Sequence, residues 1–422
     1  MVISKGATFR IDERFTIHVA TGKDDEFEEI LKFNISIHHE PVRDYLSRIY
    51  LEHPRRATFF WLYVKDVKSN QIVSSIGLMP LEWRVGPLTI PVCEMGFVGT
   101  AEAYRKEGFI RKLNKIYEQI MTEKGFLLSV IRGIPYFYRK LGYEFVLPLD
   151  NRFLLPKSKI PQENISSTKI RRSTIEDLNF IEKTYEEFNQ NFLVWNLYSK
   201  DSFIFKYNNS EITDFQEKTY IIEENGTPEA YLMLGMTYDK LGYKIRSSRL
   251  TRSQWIKLLQ FIKDLHKKSD ELEIDFDVQE DPIFKKLIIE LGGIKYNDYG
   301  WQVKIPDVEA FFNKIKPLLE ERVRNSEFKN LTRAVTLSNY QRTFEINFKE
   351  GRITDIKSIK EYPGEFNCDV QIPGSMLYKL ILGENTFEEI NYIIKDAMIK
   401  YTSKKLISAL FPKESSYPET YY

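Results

Sequence analysis

The sequence predicts a mixed α/β (α+β) chain in which a central mixed sheet flanked by helices occurs twice and a smaller α+β unit follows. Three observations carry that prediction. Residues 98–143 run from a strand through Arg105-Lys106-Glu107-Gly108 into a helix, and on to Phe137-Tyr138-Arg139-Lys140-Leu141-Gly142-Tyr143. Pro135-Tyr136-Phe137 ahead of Leu141-Gly142 is echoed by Pro282-Ile283-Phe284 ahead of Leu291-Gly292, a weak internal duplication. After Trp301-Gln302-Val303-Lys304-Ile305 the pattern changes again, to a long amphipathic helix and then an alternating strand. At 422 residues the chain exceeds what one hydrophobic core usually serves.

Taken in order, Phe27, Ile30 and Leu31 give Asp24 to Ile37 helical spacing, and Val42 to Leu51 forms a second helix with Pro41 at its first turn. Thr58 to Val64 is rich in β-formers. Ile72 to Arg84 and Leu88 to Thr100 are strands joined at Val85-Gly86-Pro87. A helix opens at Phe109, presents Ile110, Leu113, Ile116, Tyr117, Ile120 and Met121 on one side, and stops at Gly125. Phe126 to Ile131 is a buried strand, followed by a short helix near Pro135 and a last strand, Tyr143 to Leu147. Pro, Ser, Lys and Asn dominate from Leu155 to Thr168, which reads as a linker. The middle region then gives a helix over Ile175 to Phe188, a strand Thr219 to Glu223, a turn at Asn225-Gly226, and strands Ala230 to Thr237 and Tyr243 to Leu250. A helix from Ser253 and a strand Leu272 to Val278 follow. Val308 to Val323 is the amphipathic helix. Phe344, Ile346 and Phe348 alternate before a Glu350-Gly351 turn, and Ser375 to Leu382, Thr386 to Ile393 and Ser403 to Leu410 are helical.

Lys+Arg 61 against Asp+Glu 60 leaves a formal charge of +1, which argues against a general nucleic-acid or anionic-membrane binder. Cys93 and Cys368 lie far apart, so no disulfide framework is expected and both read as small core residues. The five histidines show no metal-ligand spacing, and no Walker or dinucleotide glycine motif occurs. The longest dense apolar run, Phe59 to Val64, is strand-sized. A soluble, cytoplasmic protein without a metal is the expectation.

The chemistry concentrates around Gly108. A glycine turn feeding a helix start offers main-chain N–H groups at the positive end of a helix dipole, which suits a pyrophosphate. Arg105, Lys106, Arg111 and Lys112 add cations there, unless they are only a solvated face. Upstream, Gly96 and Gly99 make a distortion of the strand at Phe97-Val98 easy, and a splayed strand could aim a backbone N–H at a thioester oxygen. Downstream, Tyr138 could supply a proton, unless it is one more packed aromatic. Together these read as an acyl-coenzyme A site.

Val98-Gly99-Thr100, Tyr104 to Ile110 and Phe137 to Glu144 together resemble the GNAT acetyltransferases. Ile110 stands where many members have glycine or alanine, and a large aliphatic residue there is common in the Eis-like (enhanced intracellular survival) branch. The whole chain resembles that branch, with Tyr299 to Asp307, Leu380-Ile381-Leu382-Gly383 and Leu410-Phe411-Pro412 matching its later landmarks. The resemblance implies a catalytic GNAT domain over 1–155, a linker over 156–168, a degenerate GNAT-like domain over 169–304 and a sterol-carrier-protein-like domain over 305–422. It implies acetyl-coenzyme A as co-substrate, held by Met95, Phe97, Val98, Arg105, Lys106, Gly108, Phe109, Ile110 and Arg111. Tyr138 stands at the branch's general acid, and the α-carboxylate of Tyr422 at its general base. Glu94 is the rival base, unless it is a solvent-facing strand residue. The partners implied are a small-molecule or lysine amine and further copies of the chain, as a hexamer. Two other readings stay open: a lipid or small-ligand binder using the third domain's apolar face, and transfer of an aminoacyl or longer acyl group.

Overall fold

The computed structural model describes residues 2–237, 239–266, 272–278, 280–359 and 367–421. Its first half holds strands β1 (Thr8–Arg10), β2 (Phe15–Val19), β3 (Phe60–Asp66), β4 (Gln71–Val85), β5 (Leu88–Thr100), β6 (Leu128–Ile131) and β7 (Glu144–Pro156), with helices α1 (Asp24–His38), α2 (Val42–Ser47) and α3 (Phe109–Lys124). The second half holds β8 (Thr168–Arg172), β9 (Val194–Asn196), β10 (Lys218–Glu224), β11 (Thr227–Met236), β12 (Tyr243–Ser247), β13 (Glu273–Val278) and β14 (Ile294–Lys304), with α4 (Leu178–Asn189), α5 (Lys200–Asn209), α6 (Arg252–Leu265) and α7 (Pro282–Glu290).

One mixed sheet runs through both halves in the order β1-β2-β3-β4-β5-β6-β14-β7-β13-β12-β11-β10-β8. The two long strands at its middle have exchanged places. Gln302, Val303 and Lys304 of β14 pair with Ile131, Val130 and Ser129 of β6, while Arg152 to Pro156 of β7 pair with β13. The sequence places the end of that strand at Leu147, ahead of Pro148, Asp150 and Asn151. The strand instead continues through them, since the polar groups find partners across the sheet. The Asn151 N–H donates to Asp277 Oδ1 at 2.8 Å, and Lys244 Nζ donates to Asp150 Oδ1 at 3.1 Å.

The remaining residues form β15 (Arg333–Ser338), β16 (Thr343–Lys349), β17 (Arg352–Ile359), β18 (Val370–Gln371) and β19 (Met398–Ile399), a separate sheet ordered β17-β16-β15-β18-β19. Helices α8 (Val308–Arg324), α9 (Leu377–Ile381), α10 (Phe387–Ile393) and α11 (Lys404–Leu410) accompany it. Its core is continuous with one face of the first half. Trp83, Ile90, Val92, Phe311, Ile315, Leu319, Leu377 and Leu410 belong to a single buried apolar cluster. The other face of the first half, with Cys93, Met95, Leu113, Tyr117 and Ile120, packs on α3. Alternation along β5 therefore sends Glu94 toward α1 and Met95 toward α3.

Candidate active site

The geometry starts on β5. Against β4 the register steps from Met95↔Leu78 and Gly96↔Gly77 to Gly99↔Ser75, so Phe97 and Val98 together oppose a single residue. This is a β-bulge, and Phe97 takes a left-handed φ of 50° within it. Ser75 Oγ donates to the Phe97 carbonyl at 3.0 Å and pins the bulge. On the other side, β5 pairs with β6 in parallel only through Val92, Cys93 and Glu94. Beyond Glu94 the two strands separate, and the cleft between them begins at the bulge. Main-chain groups of Phe97 and Val98 thus sit beside an opening rather than in a ladder.

The chain leaves β5 through a single helical turn, Glu102–Tyr104, and reaches α3 through Lys106 and Gly108, both left-handed with φ of 74° and 72°. Gly108 is the N-cap of α3, and no side chain caps that helix. A Cβ built on Gly108 would meet nothing within 4 Å, so its surroundings are open. Arg105, Lys106 and Arg111 are exposed around it, Phe109 is buried as an anchor and Ile110 half-buried. An uncapped helix start with free approach to the main chain fits a diphosphate. Met95 is fully buried against α3, so only its main chain could meet a ligand.

The corresponding helix of the second half begins differently. Thr251 caps α6 with a reciprocal capping box: its Oγ1 accepts from the Gln254 N–H at 3.3 Å, and Gln254 Oε1 accepts from the Thr251 N–H at 2.9 Å. The donors that α3 leaves open are taken up at α6 by the chain itself.

Tyr138 lies in the turn Tyr138–Leu141 that follows the cleft, 6 % exposed, with its ring against Gly133. Burial, with a smaller contribution from Tyr299, pushes its phenol well above the usual tyrosine range, so it stays protonated at any working pH. Glu94 is not a solvent-facing strand residue. It is 2 % exposed, its Oε1 accepts from Arg132 Nε at 3.4 Å, and among the described residues its Oε2 has no partner. Burial outweighs the attraction of Arg132 and pushes the Glu94 carboxyl up to about 7.

The C-terminal segment enters the same region. Tyr45 Oη, from α2, donates to the Tyr421 carbonyl at 3.2 Å. The His53 ring accepts the Arg55 N–H on Nδ1 at 3.0 Å, so its Nε2–H faces Tyr421 Oη at 2.8 Å, and that hydroxyl donates to the Ser202 carbonyl at 3.0 Å. Tyr45, Arg132, Asp214, Phe215, Thr420 and Tyr421 line a cavity of about 20 Å³, enough for one water molecule. Tyr422, the candidate base, lies outside the described residues. The sequence pointed to Glu94, Tyr138 and the Gly108 turn, but not to Arg132 or Tyr45. Neither stands in a motif, and the sole hint was a basic residue directly after a buried strand.

Residues 18–146 match the acetyltransferase (GNAT) domain family. No curated protein matches the chain in sequence. Among solved structures, a conserved protein of Enterococcus faecalis described as a probable N-acyltransferase is 16 % identical with a TM-score of 0.71, covering 97 % of this chain and 100 % of its own. A GCN5-related N-acetyltransferase from Anabaena variabilis gives 14 %, 0.68, 95 % and 99 %. Eis1 from Mycobacterium abscessus gives 11 %, 0.63, 96 % and 99 %. The stretch that holds the bulge, the open helix start and Tyr138 therefore matches the GNAT acetyltransferase domain, in a chain whose fold follows these structures over nearly its whole length.

Proposed function

We propose that the chain is an acetyl-coenzyme A-dependent N-acetyltransferase of the Eis-like kind, acting on a primary amine by direct attack on the thioester. The observation that carries this reading is the uncapped start of α3 at Gly108, standing after a bulged β5 that has parted from β6. Arg105, Lys106, Arg111 and the main chain from Gly108 to Ile110 would hold the diphosphate, and the strand from Met95 to Val98 would run beside the pantetheine. Coenzyme A supplies the activated acyl carbonyl. The chain supplies the rest: a bulge amide for the developing oxyanion, Tyr138 as proton donor to the departing thiolate, and a base for the amine.

Two groups compete for the base. Glu94, its carboxyl pushed up to about 7, lies beside the cleft, whereas the described chain reaches the same region at Tyr421, one residue before the Tyr422 carboxylate. The second reading is favoured by Tyr45, His53 and Ser202, which fix Tyr421 from two directions. The second half, with Thr251 closing its helix, fits a degenerate GNAT-like copy over 169–304. The unit over 305–422 fits a sterol-carrier-like scaffold, with Leu377 and Leu380 buried in its core.

The test is free-thiol release from acetyl-coenzyme A against a panel of amines, alongside calorimetry with acetyl-coenzyme A alone. Amine-dependent thiol release supports the reading. Absence of both binding and release with every amine and acyl chain overturns it.

A further inference from the structure

We infer that Arg246 and Lys206, both from the second half, are positioning residues that grip the C-terminal segment and aim its end into the first half's cleft. The inference rests on the reading of the Tyr422 carboxylate as base, and gives the second half a task in the reaction. Lys206 Nζ lies 2.7 Å from Glu419 Oε2 and donates to the Thr420 carbonyl at 3.0 Å. Arg246 Nη1 lies 2.5 Å from the same Glu419 oxygen and 3.2 Å from the same carbonyl, while its Nη2 donates to Thr420 Oγ1 at 2.8 Å. Glu217 pairs with the guanidinium from the other side. Two cations and two carboxylates thus balance inside the protein, with Arg246, Lys206, Glu217 and Glu419 all buried.

The contacts on either side make this a track rather than a single bond. Trp301 Nε1 donates to the Pro418 carbonyl at 2.7 Å and Asn196 Nδ2 to the Glu419 carbonyl at 3.1 Å. Further back, the Leu193 N–H bonds the Ser415 carbonyl at 2.8 Å, and the Tyr417 N–H bonds the Val194 carbonyl at 2.9 Å. One residue beyond Thr420, Tyr421 passes to Tyr45 and His53 of the first half. A buried ion cluster of this kind is a poor source of stability, since apolar residues of the same volume serve as well. What it supplies is location: Glu419 has one place where its charge is matched, and that place sets where the following residues go.

The experiment uses the full chain. Carboxypeptidase release of C-terminal tyrosine is timed for wild type, Arg246→Gln, Arg246→Lys and Thr420→Val, and steady-state kinetics are recorded on each. With Arg246→Gln, tyrosine release is expected to rise roughly tenfold. Turnover is expected to fall roughly 10²-fold through misplacement of the base, with the KM for acetyl-coenzyme A unchanged. Arg246→Lys restores part of both. Thr420→Val, which removes one acceptor and leaves every charge in place, shifts both in the same direction by less and stands in should Arg246→Gln fold poorly. A tail as protected in Arg246→Gln and Thr420→Val as in wild type overturns the grip. A tail set free with turnover undiminished upholds the grip and removes the C-terminal carboxylate from the mechanism.

Discussion

Arg132 Nε stands 3.4 Å from Glu94 Oε1 at the point where β5 and β6 part. A carboxyl pushed up to about 7 by burial favours the fold while it is protonated. That contribution is whole below the unfolded pKa near ~4.3 and is lost as pH rises through about 7. Glu94→Gln removes the titration. Between pH 5 and pH 8.5 (roughly) the unfolding free energy of wild type should fall relative to Glu94→Gln by about 3 kcal/mol. Denaturant titrations at the two pH values measure it, and parallel behaviour of the two proteins would contradict the assignment.

Gly108 and Gly125 bracket α3 and offer a matched pair of variants. Both have left-handed φ, 72° and 73°, and open space where a Cβ would stand. Alanine at either costs about 1 kcal/mol of stability through backbone strain. Only Gly108→Ala should raise the dissociation constant of acetyl-coenzyme A, roughly tenfold, because only there would a methyl group meet the diphosphate. Calorimetry on both variants separates the two effects.

Tyr138→Phe removes the phenol and leaves the ring against Gly133. Turnover should fall roughly 10²–10⁴-fold with acetyl-coenzyme A affinity unchanged. Full activity would take Tyr138 out of the mechanism.

Tyr104 ends the turn that leads into Arg105, and its hydroxyl donates to Asp66 Oδ2 at 3.1 Å. Arg14 grips the same oxygen through Nε at 2.9 Å and Nη2 at 2.7 Å, so Asp66 ties the approach to α3 to the amino-terminal hairpin. Tyr104→Phe frees the turn without touching the cleft. The KM for acetyl-coenzyme A should rise by roughly threefold to tenfold with kcat unchanged.

Much of this was legible wherever a local rule decides the conformation. Gly108, Gly125, Asn225-Gly226 and Glu350-Gly351 mark their turns because each position takes a positive φ. The stripe from Leu113 to Met121 marks α3 because helix and core agree along it. The bulge at Phe97-Val98 was readable from the glycines around it. Elements set by distant partners were not readable. In α5, Phe203, Ile204 and Phe205 follow one another and leave no stripe, and β1, β2, β8 and β9, three to five residues long, are too short to show an alternation. For Glu94 the sequence left a base and a solvent-facing strand residue both open, because its partner, Arg132, lies 38 residues on, just past the end of β6. Arg246 and Lys206 stand in no motif, and the carboxylate they hold lies 173 and 213 residues further along the chain.

The exchange of β7 and β14 also governs when the protein becomes whole. Until residue 304 has been synthesised, β6 has an unclosed border, and a nascent chain that has made only the first half carries a sticky rim. The cleft is finished by residues translated well over a hundred codons after its own strands. Fragments ending between the two halves should therefore aggregate rather than work, and partial products of translation would be silent.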